Sequence, residues 1–209
     1  MANFHGDSGH SRTLKFFWPE NFKLILATRS PRRIQLIKQM DIPFEIVTIP
    51  FDESSIETKD VVHIARMKNM AYSHDLKKGE ILLTADTLVI LDDEIMGKPA
   101  NETEAKIMLK KLSGRKHLVE TGVCLRTSEE IRCFKERTKI FFKNLQDREI
   151  EYYVRTYKPF DKAGGYGIQE WIGLTGIEKI SGDYYNVMGL PTSALWQELK
   201  EILRRTSNI

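Results

Sequence analysis

The chain alternates between short apolar runs that suit buried strands and longer segments with apolar residues at helical spacing. The predicted strands are residues 23–27, 44–49, 81–91, 95–96, 117–126, 131–142 and 177–180. The predicted helices are residues 31–40, 60–77, 101–112, 147–157 and 191–205. This pattern predicts a mixed α/β chain that begins with strand-helix-strand units.

The first 22 residues stand apart because glycine, serine, histidine and asparagine occur there without periodicity. We interpret residues 1–22 as a mobile N-terminal extension or an expression remnant. Neither an internal repeat nor a low-complexity linker interrupts residues 23–209. We therefore expect these residues to form a single domain.

The first candidate site is the junction between the first predicted strand and the first predicted helix. Ser30 suits the N-cap of that helix, and Pro31 suits its first turn. Such a junction leaves backbone N–H groups unpaired at the positive end of the helix dipole, and Arg32 and Arg33 add charge beside them. An anion, best a phosphate, would bind there. The alternative is an ordinary capped helix with solvated arginines, and the junction by itself does not decide between the two.

Asp86 is the first candidate for catalysis because it interrupts the apolar strand predicted over residues 81–91. A buried carboxylate costs several kcal/mol unless it is paired, hydrogen-bonded or bound to a metal. We therefore expect Asp86 at the open end of its strand, facing a cleft. The alternative is a turn aspartate that ends one strand and starts another.

Two lysines are candidates for contacts with an anionic ligand. Lys68 lies one position from the apolar stripe of the second predicted helix, so its long side chain could reach a cleft. Lys98 stands between glycine and proline, and it is not a P-loop lysine because no G-x-x-x-x-G precedes it. It is either a positioned phosphate contact or a solvated turn residue.

Residues 161–169 combine glycines, an aromatic ring and an amide. This mixture suits a place where a flat heterocycle stacks, and Gln169 offers a base edge both a donor and an acceptor. The alternative is a plain flexible loop. His63 and His117 lack a partner arrangement typical of a metal site or a catalytic triad, so we interpret both as structural.

Charge and composition narrow the classes of function. A net charge of +3 is too small to indicate nucleic-acid binding, although it allows a locally basic site for a polyanionic small molecule. No apolar run approaches the roughly 20 residues of a membrane span, and no signal peptide is evident, so we expect a cytoplasmic protein. Cys124 and Cys133 flank a predicted hairpin turn, and we expect them as reduced, partly buried thiols.

Eight short motifs occur in order over residues 23–203, nearly the whole chain, and together they are highly specific. They are Ser30-Pro31-Arg32-Arg33, Ala65-x-x-Lys68, Ala85-Asp86-Thr87, Gly97-Lys98-Pro99, Leu112-Ser113-Gly114, Thr121-Gly122-Val123, residues 161–169, and Asn186-Val187-x-Gly189-Leu190-Pro191. Taken together they resemble the Maf family of nucleoside triphosphate pyrophosphatases. Arg32, Thr87 and Gln169 match its dTTP/UTP branch, whereas Thr28 and Glu170 stand where the family often has serine and glycine.

The resemblance implies a long mixed sheet flanked by helices, with two lobes around a central cleft, as in the Maf and inosine-triphosphatase type. It implies a homodimer and a housecleaning enzyme that cleaves dTTP, UTP and modified pyrimidine nucleotides to the monophosphate and pyrophosphate. Two alternatives remain. One is a pyrophosphatase for 7-methyl-GTP or another purine nucleotide, and the other is a non-catalytic nucleotide-binding or nucleic-acid-binding regulator of cell division.

The same resemblance assigns expected roles within the site. Asp86 would be the general base, with Lys98 and Lys68 beside it. Asp86 and Glu53 would hold a divalent cation, Mg²⁺ or Mn²⁺. The residues expected to bind substrate are Ser30, Arg32, Arg33, Thr87 and Gln169. We expect neither a nucleic acid nor a membrane among the partners.

Overall fold

The computed structural model describes residues 18–51 and 58–207, and over these ranges seven strands form one mixed sheet with flanking helices. The strands are β1 (Lys23–Ala27), β2 (Phe44–Val47), β3 (Glu80–Leu91), β4 (Glu94–Met96), β5 (Lys116–Arg126), β6 (Ile131–Phe142) and β7 (Ile177–Ser181). The helices are α1 (Pro31–Gln39), α2 (Val61–Met70), α3 (Glu102–Leu112), α4 (Asp147–Tyr157), α5 (Trp171–Gly176), α6 (Tyr184–Met188) and α7 (Thr192–Ser207). The predicted fold class is confirmed.

The sheet changes from parallel to antiparallel along its strand order, which is β2-β1-β3-β5-β6-β7. Strand β1 pairs in parallel with β2 on one side and with β3 on the other. The strands are parallel because α1 and then α2 return the chain to the end of the sheet at which β1 starts. The long strands β3, β5 and β6 and the shorter β7 are antiparallel, and the short β4 pairs with the end of β3. Strand β3 therefore joins the parallel half of the sheet, through its first residues, to the antiparallel half.

Helix α2 is shorter than predicted, since it ends at Met70 rather than near residue 77. The side chain of Asn69 donates hydrogen bonds to the backbone oxygens of Leu82 (3.2 Å) and Cys124 (3.3 Å), which fixes this end of the helix on the sheet. Gly79, which follows the predicted helix in the sequence, has a positive φ of 88° in the turn before β3. The sequence pattern did not reveal that Asn69 anchors the helix on the sheet.

The N-terminal boundary of the packed domain differs from the predicted one. Trp18 and Phe22 were placed in the mobile extension, yet both are buried in the hydrophobic core. The indole Nε1 of Trp18 donates a hydrogen bond of 2.9 Å to the backbone oxygen of Phe22. Residues 18–22 thus pack with the domain, and the rest of the predicted extension lies outside the described residues.

Two short helices were not predicted. Helix α5 has six residues, and α6 has five, so neither is long enough to display a helical repeat of apolar positions. Asp183 caps the start of α6, where its side chain accepts from the backbone N–H of Tyr185, and Gly189, which has a φ of 110°, caps its end.

Among the described helices, none is long and apolar enough to cross a membrane.

Cys124 and Cys133 are opposite one another in the β5–β6 hairpin, as the sequence suggested, with Cα atoms 4.1 Å apart. The structure joins them in a disulfide, so the expectation of reduced thiols is wrong. The physical reason is the register: two directly opposed residues of antiparallel strands point to the same face. The sequence indicates the hairpin but does not specify this register.

His117 is buried behind the cavity described below, in agreement with its predicted structural role. Its Nε2 lies 2.7 Å from the hydroxyl oxygen of Tyr166, and its ring stacks on Phe142. The other ring nitrogen, Nδ1, is buried without a hydrogen-bond partner among the described residues. Because burial penalises the charged imidazolium, the pKa of His117 falls to about 4.

We expect the free energy of unfolding to decrease by about 3 kcal/mol as the pH falls from 6.5 to 4. Over this range the unfolded chain binds a proton at His117 that the folded protein excludes, so acid favours unfolding. Urea unfolding at several pH values measures the loss, with His117→Gln as the non-titrating control. Equal pH dependence in the two proteins would contradict this assignment.

Candidate active site

A cavity of about 570 Å³ opens where the β1–α1 junction, the centre of β3 and the glycine-rich segment meet. Its volume suits a ligand of nucleotide size. All the predicted site residues within the described ranges line it: Ser30, Arg32, Arg33, Lys68, Asp86, Thr87, Lys98 and Gln169. The structure thus brings these residues together, and their individual roles stay predictions. Glu53 lies outside the described residues.

The start of α1 forms one wall of the cavity. Ser30 is the N-cap, and its hydroxyl oxygen accepts from the backbone N–H of Arg33 at 3.4 Å. The hydroxyl oxygen of Thr28 accepts from the N–H of Ser30 at 3.1 Å, which fixes the turn before the helix. Because Ser30 is an acceptor toward its own helix, its hydroxyl hydrogen remains available to an anion in the cavity. The predicted N-cap is confirmed.

The two neighbouring arginines make different contacts. Arg33 donates through Nε to the backbone oxygen of Gly189 (2.7 Å) and through Nη2 to the hydroxyl of Thr87 (3.0 Å). Arg32 donates instead to the carboxylate of Asp161 at 2.6 Å, on the glycine-rich segment. Arg33 therefore links α1 to the cavity floor, whereas Arg32 links α1 to the facing wall.

Asp161 is a residue of this site that we did not single out from the sequence. Burial alone raises the pKa of this carboxyl, but hydrogen bonds from Lys162 and Arg32 outweigh that effect and bring it below its ordinary value. The Lys162 ammonium lies 2.7 Å from one Asp161 oxygen and 3.1 Å from an oxygen of Glu170. The signal that could have revealed the pair is the adjacent Asp-Lys that opens the glycine-rich segment.

Asp86 lies in the middle of β3, so the predicted strand end and the predicted turn are both wrong, but the residue faces a cleft as expected. The pairing of β3 with β1 ends at Leu83 and its pairing with β4 begins at Val89, so neither strand pairs with Asp86 on that side. The ammonium of Lys68 lies 2.5 Å from Asp86 Oδ1, and both side chains are about 15% exposed. This ion pair compensates for the burial of a carboxylate within a strand.

Helix α2 places Lys68 beside Asp86 because the helix lies very close to the sheet. A Cβ atom at Gly122 would be 2.2 Å from the backbone oxygen of Val61, at the start of α2. In the middle of the helix, the hydroxyl of Thr84 donates to the backbone oxygen of Ala65 at 2.7 Å. Together with the anchor at the helix end described above, these contacts fix Lys68 relative to β3.

The glycine-rich segment forms the wall opposite α1. Gly164 has a φ of 71°, and its N–H donates to the backbone oxygen of Gly97 at 2.9 Å, which holds the segment beside Lys98. The phenol of Tyr153 accepts from the N–H of Gly167 at 2.9 Å and donates to Glu170. Glu170, which stands where the Maf family often has glycine, thus anchors the segment in this chain.

Gln169 lies at the end of that segment and lines the cavity. Its Oε1 atom is buried and has no hydrogen-bond partner among the described residues. A buried acceptor without a partner is destabilising unless a ligand supplies a donor. This side chain can therefore recognise an N–H group of a bound molecule.

Other lining residues were not predicted from the sequence. Phe51 lies beneath Lys68, whose Nζ is 5.8 Å from the centre of the ring. Arg29, which directly precedes Ser30, also lines the cavity. Thr48 and Ile49 line it as well, because β2 ends at Val47 and not at residue 49 as predicted. These residues belong to no motif with a regular spacing, so the sequence pattern did not indicate that they line the cavity.

The donor set of the cavity fits a divalent cation that arrives with a polyphosphate. Within the described ranges, no group of three or more metal-ligating side chains occurs. On the cavity floor, Lys68 contacts Asp86 through Oδ1, which leaves Oδ2 as a ligand atom, whereas Asp161 is held by both Arg32 and Lys162. Mg²⁺ is commonly bound by one or two carboxylates together with substrate phosphates, which agrees with this arrangement.

Comparison with known proteins places the chain in a family. The family model described as "Maf-like protein" matches residues 23–202. A dTTP/UTP pyrophosphatase of Phocaeicola vulgatus is 48% identical over 188 residues, which cover 88% of this chain and 97% of the relative. The dTTP/UTP pyrophosphatases of Parabacteroides distasonis and Thermosipho africanus are each 49% identical, over 87% and 85% of this chain and 96% and 92% of those relatives. From the extent of these matches, we conclude that the chain belongs to the family of Maf-like proteins.

Proposed function

We propose that this protein hydrolyses dTTP and UTP between the α and β phosphorus atoms, which releases the nucleoside monophosphate and pyrophosphate. The observation that carries the proposal is the carboxylate of Asp86, held by Lys68 on the floor of a cavity lined by cationic side chains. The relatives described above are named for the same activity, and this chain matches nearly their whole length.

Asp86 is the proposed general base. It removes a proton from a water molecule as the water oxygen bonds to the α phosphorus, and the bond to the bridging oxygen breaks. The hydrogen bond from Lys68 orients the carboxylate for this step. Negative charge moves to the leaving pyrophosphate, where Lys98 and the N–H groups at the start of α1 stabilise it.

Asp86, together with Glu53, which lies outside the described residues, would hold Mg²⁺ or Mn²⁺ in this mechanism. The bound cation would supply positive charge that neutralises the triphosphate. Arg33 remains a proposed contact for the substrate, and its hydrogen bonds to Gly189 and Thr87 also connect α1 to the cavity floor. Ser30 and Arg32 are the other proposed contacts from α1 to the substrate.

We propose that Arg32, Thr87 and Gln169 determine which base the site accepts. The buried Oε1 of Gln169 needs a donor, and the uracil and thymine rings each carry an N3–H. A site with unpaired polar groups rejects ligands that cannot complete its hydrogen bonds. We also propose a housecleaning role against surplus or modified pyrimidine nucleotides, which the resemblance to the Maf family implies.

Residues 23–209 belong to one domain, which also includes residues 18–22. A single continuous sheet and the extent of the family match support this organisation. The functional unit is a homodimer in the cytoplasm, where nucleoside triphosphates are made and used. Light scattering after size-exclusion chromatography measures the mass of the assembly, and a monomer at micromolar concentration would contradict the homodimer.

A substrate panel tests the activity. The protein is incubated with dTTP, UTP, GTP and 7-methyl-GTP in the presence of Mg²⁺ or Mn²⁺, and pyrophosphate release is measured. We expect the two pyrimidine nucleotides to be the best substrates and a chelator to abolish turnover. Preference for 7-methyl-GTP or GTP would overturn the base assignment. Steeply salt-dependent binding of DNA without pyrophosphate release would favour the regulator instead.

A further inference from the structure

A chain of hydrogen bonds runs from the cavity into the core beneath Thr87. Arg33 Nη2 lies 3.0 Å from Thr87 Oγ1, which lies 2.9 Å from Thr121 Oγ1. Thr121 Oγ1 lies in turn 2.9 Å from the backbone oxygen of Asn186. Thr121 and Asn186 are completely buried, so water cannot replace these contacts. The proposed mechanism gives neither of these two residues a role.

The groups at the two ends of this series of hydrogen bonds, Arg33 and Asn186, fix the direction of every hydrogen bond in it. The guanidinium of Arg33 can only donate, so Thr87 accepts from it. The carbonyl of Asn186 can only accept, so the single hydroxyl hydrogen of Thr121 is used there. The hydrogen between the two threonines must therefore come from Thr87. The opposite direction would leave Thr121 and the carbonyl as two acceptors in contact, which is unfavourable.

This direction determines what Thr87 can offer to a ligand. Its hydroxyl hydrogen points at Thr121, and one of its two lone pairs accepts from Arg33. One lone pair remains, so Thr87 acts toward the cavity as an acceptor only. A phosphate oxygen, which also accepts, is an unsuitable partner. The partner of Thr87 is an N–H or O–H group of the ligand.

We propose that Thr121, through Thr87, makes the site select the N3–H of uracil and thymine against cytosine. Cytosine carries an acceptor at N3, so two acceptors would face each other at Thr87. Thr121 is thus a positioning residue, and Asn186 supplies the carbonyl that sets its direction. This inference rests on the proposed hydrolysis of UTP and dTTP and on the placement of Thr87 against the base.

Thr87 supplies a form of selectivity that Gln169 cannot supply alone. An amide side chain can turn by 180° about its last bond and exchange its donor for its acceptor. Gln169 can consequently adapt to uracil or to cytosine. The hydroxyl of Thr87 cannot adapt in this way while Thr121 accepts its hydrogen. The fixed polarity of Thr87 therefore carries the discrimination.

The decisive variants are Thr121→Val, which removes the acceptor, and Thr121→Ser, which keeps it. Valine has a similar shape, and the carbonyl of Asn186 stays paired because the N–H of Gly189 also donates to it at 3.0 Å. In Thr121→Val the hydroxyl hydrogen of Thr87 becomes free to point into the cavity. We expect the ratio of kcat/KM for UTP to that for CTP to fall about fivefold to tenfold, the worth of one hydrogen bond.

Thr121→Ser should restore the ratio to within about twofold of the original protein, as expected when only the hydroxyl matters. An unchanged ratio in Thr121→Val would overturn the inference, even if both activities decline. An equal fall in Thr121→Ser would also overturn it, since packing would then be the cause. Thermal unfolding of both variants records any general loss of stability.

Binding separates this inference from the proposed function. Affinities for the α,β-methylene analogues of UTP and CTP, measured by calorimetry, give the same ratio without turnover. A protein that binds the UTP analogue selectively but releases no pyrophosphate would contradict the proposed hydrolysis alone. A protein that hydrolyses UTP while Thr121→Val leaves both ratios unchanged would contradict the role of Thr121 alone.

Discussion

Asparagine in place of Asp86 is expected to lower kcat for dTTP and UTP by about 10²-fold to 10⁴-fold, the usual contribution of a general base. Asparagine has nearly the shape of aspartate but cannot take up the proton of the attacking water. The variant also loses the negative charge that pairs with Lys68 at 2.5 Å. Pyrophosphate release under saturating nucleotide measures the effect.

Nucleotide binding should persist in Asp86→Asn, because the cationic groups and α1 remain in place. Asp75→Asn is the matched control, since Asp75 is an exposed carboxylate that does not line the cavity. Its kcat should equal that of the original protein. Turnover at the original rate by Asp86→Asn would show that another group removes the proton.

Alanine in place of Gly122 is expected to destabilise the protein by about 3 kcal/mol, the upper end of the usual effect of overpacking. The added Cβ would lie 2.2 Å from the backbone oxygen of Val61 and 2.4 Å from its carbonyl carbon, so the start of α2 must move. A shift of about 1 Å in a catalytic group can lower the rate by about 10²-fold. Because α2 carries Lys68, we expect kcat to fall together with stability.

Gly97→Ala is the matched control for the stability effect, because a Cβ at that position meets no atom within 4 Å. Urea unfolding of both variants measures the difference, and pyrophosphate release from Gly122→Ala measures the accompanying loss of activity. If Gly122→Ala unfolds at the same urea concentration as the original protein, the close approach of α2 to β5 is not needed for stability.

Local patterns in the sequence predict much of the fold. The strand at residues 81–91, the hairpin after it and the helix opened by Ser30 and Pro31 are all confirmed, because each depends on neighbouring residues. The chemistry of Asp86 could also be anticipated, since a carboxylate within an apolar strand needs a compensating partner. The identity of that partner, Lys68, follows only from how α2 lies on the sheet.

Features that depend on distant contacts could not be predicted in the same way. The early end of α2 depends on Asn69 and backbone groups of two other strands. The contact between Arg32 and Asp161 joins residues 129 positions apart, and no local pattern marks it. The direction of the hydrogen bond from Thr87 to Thr121 depends on a third element, α6, which is too short to be recognised in the sequence.

Arg32 and Asp161 both line the cavity and form an ion pair, so a substrate that binds Arg32 must compete with a carboxylate of the protein itself. The free energy of binding that Arg32 contributes is then the difference between its contact with the substrate and its contact with Asp161. Asp161 is half exposed and keeps its hydrogen bond from Lys162, so the exchange leaves no buried charge alone. A nucleotide that binds Arg32 therefore replaces the contact with Asp161 that joins α1 to the glycine-rich segment.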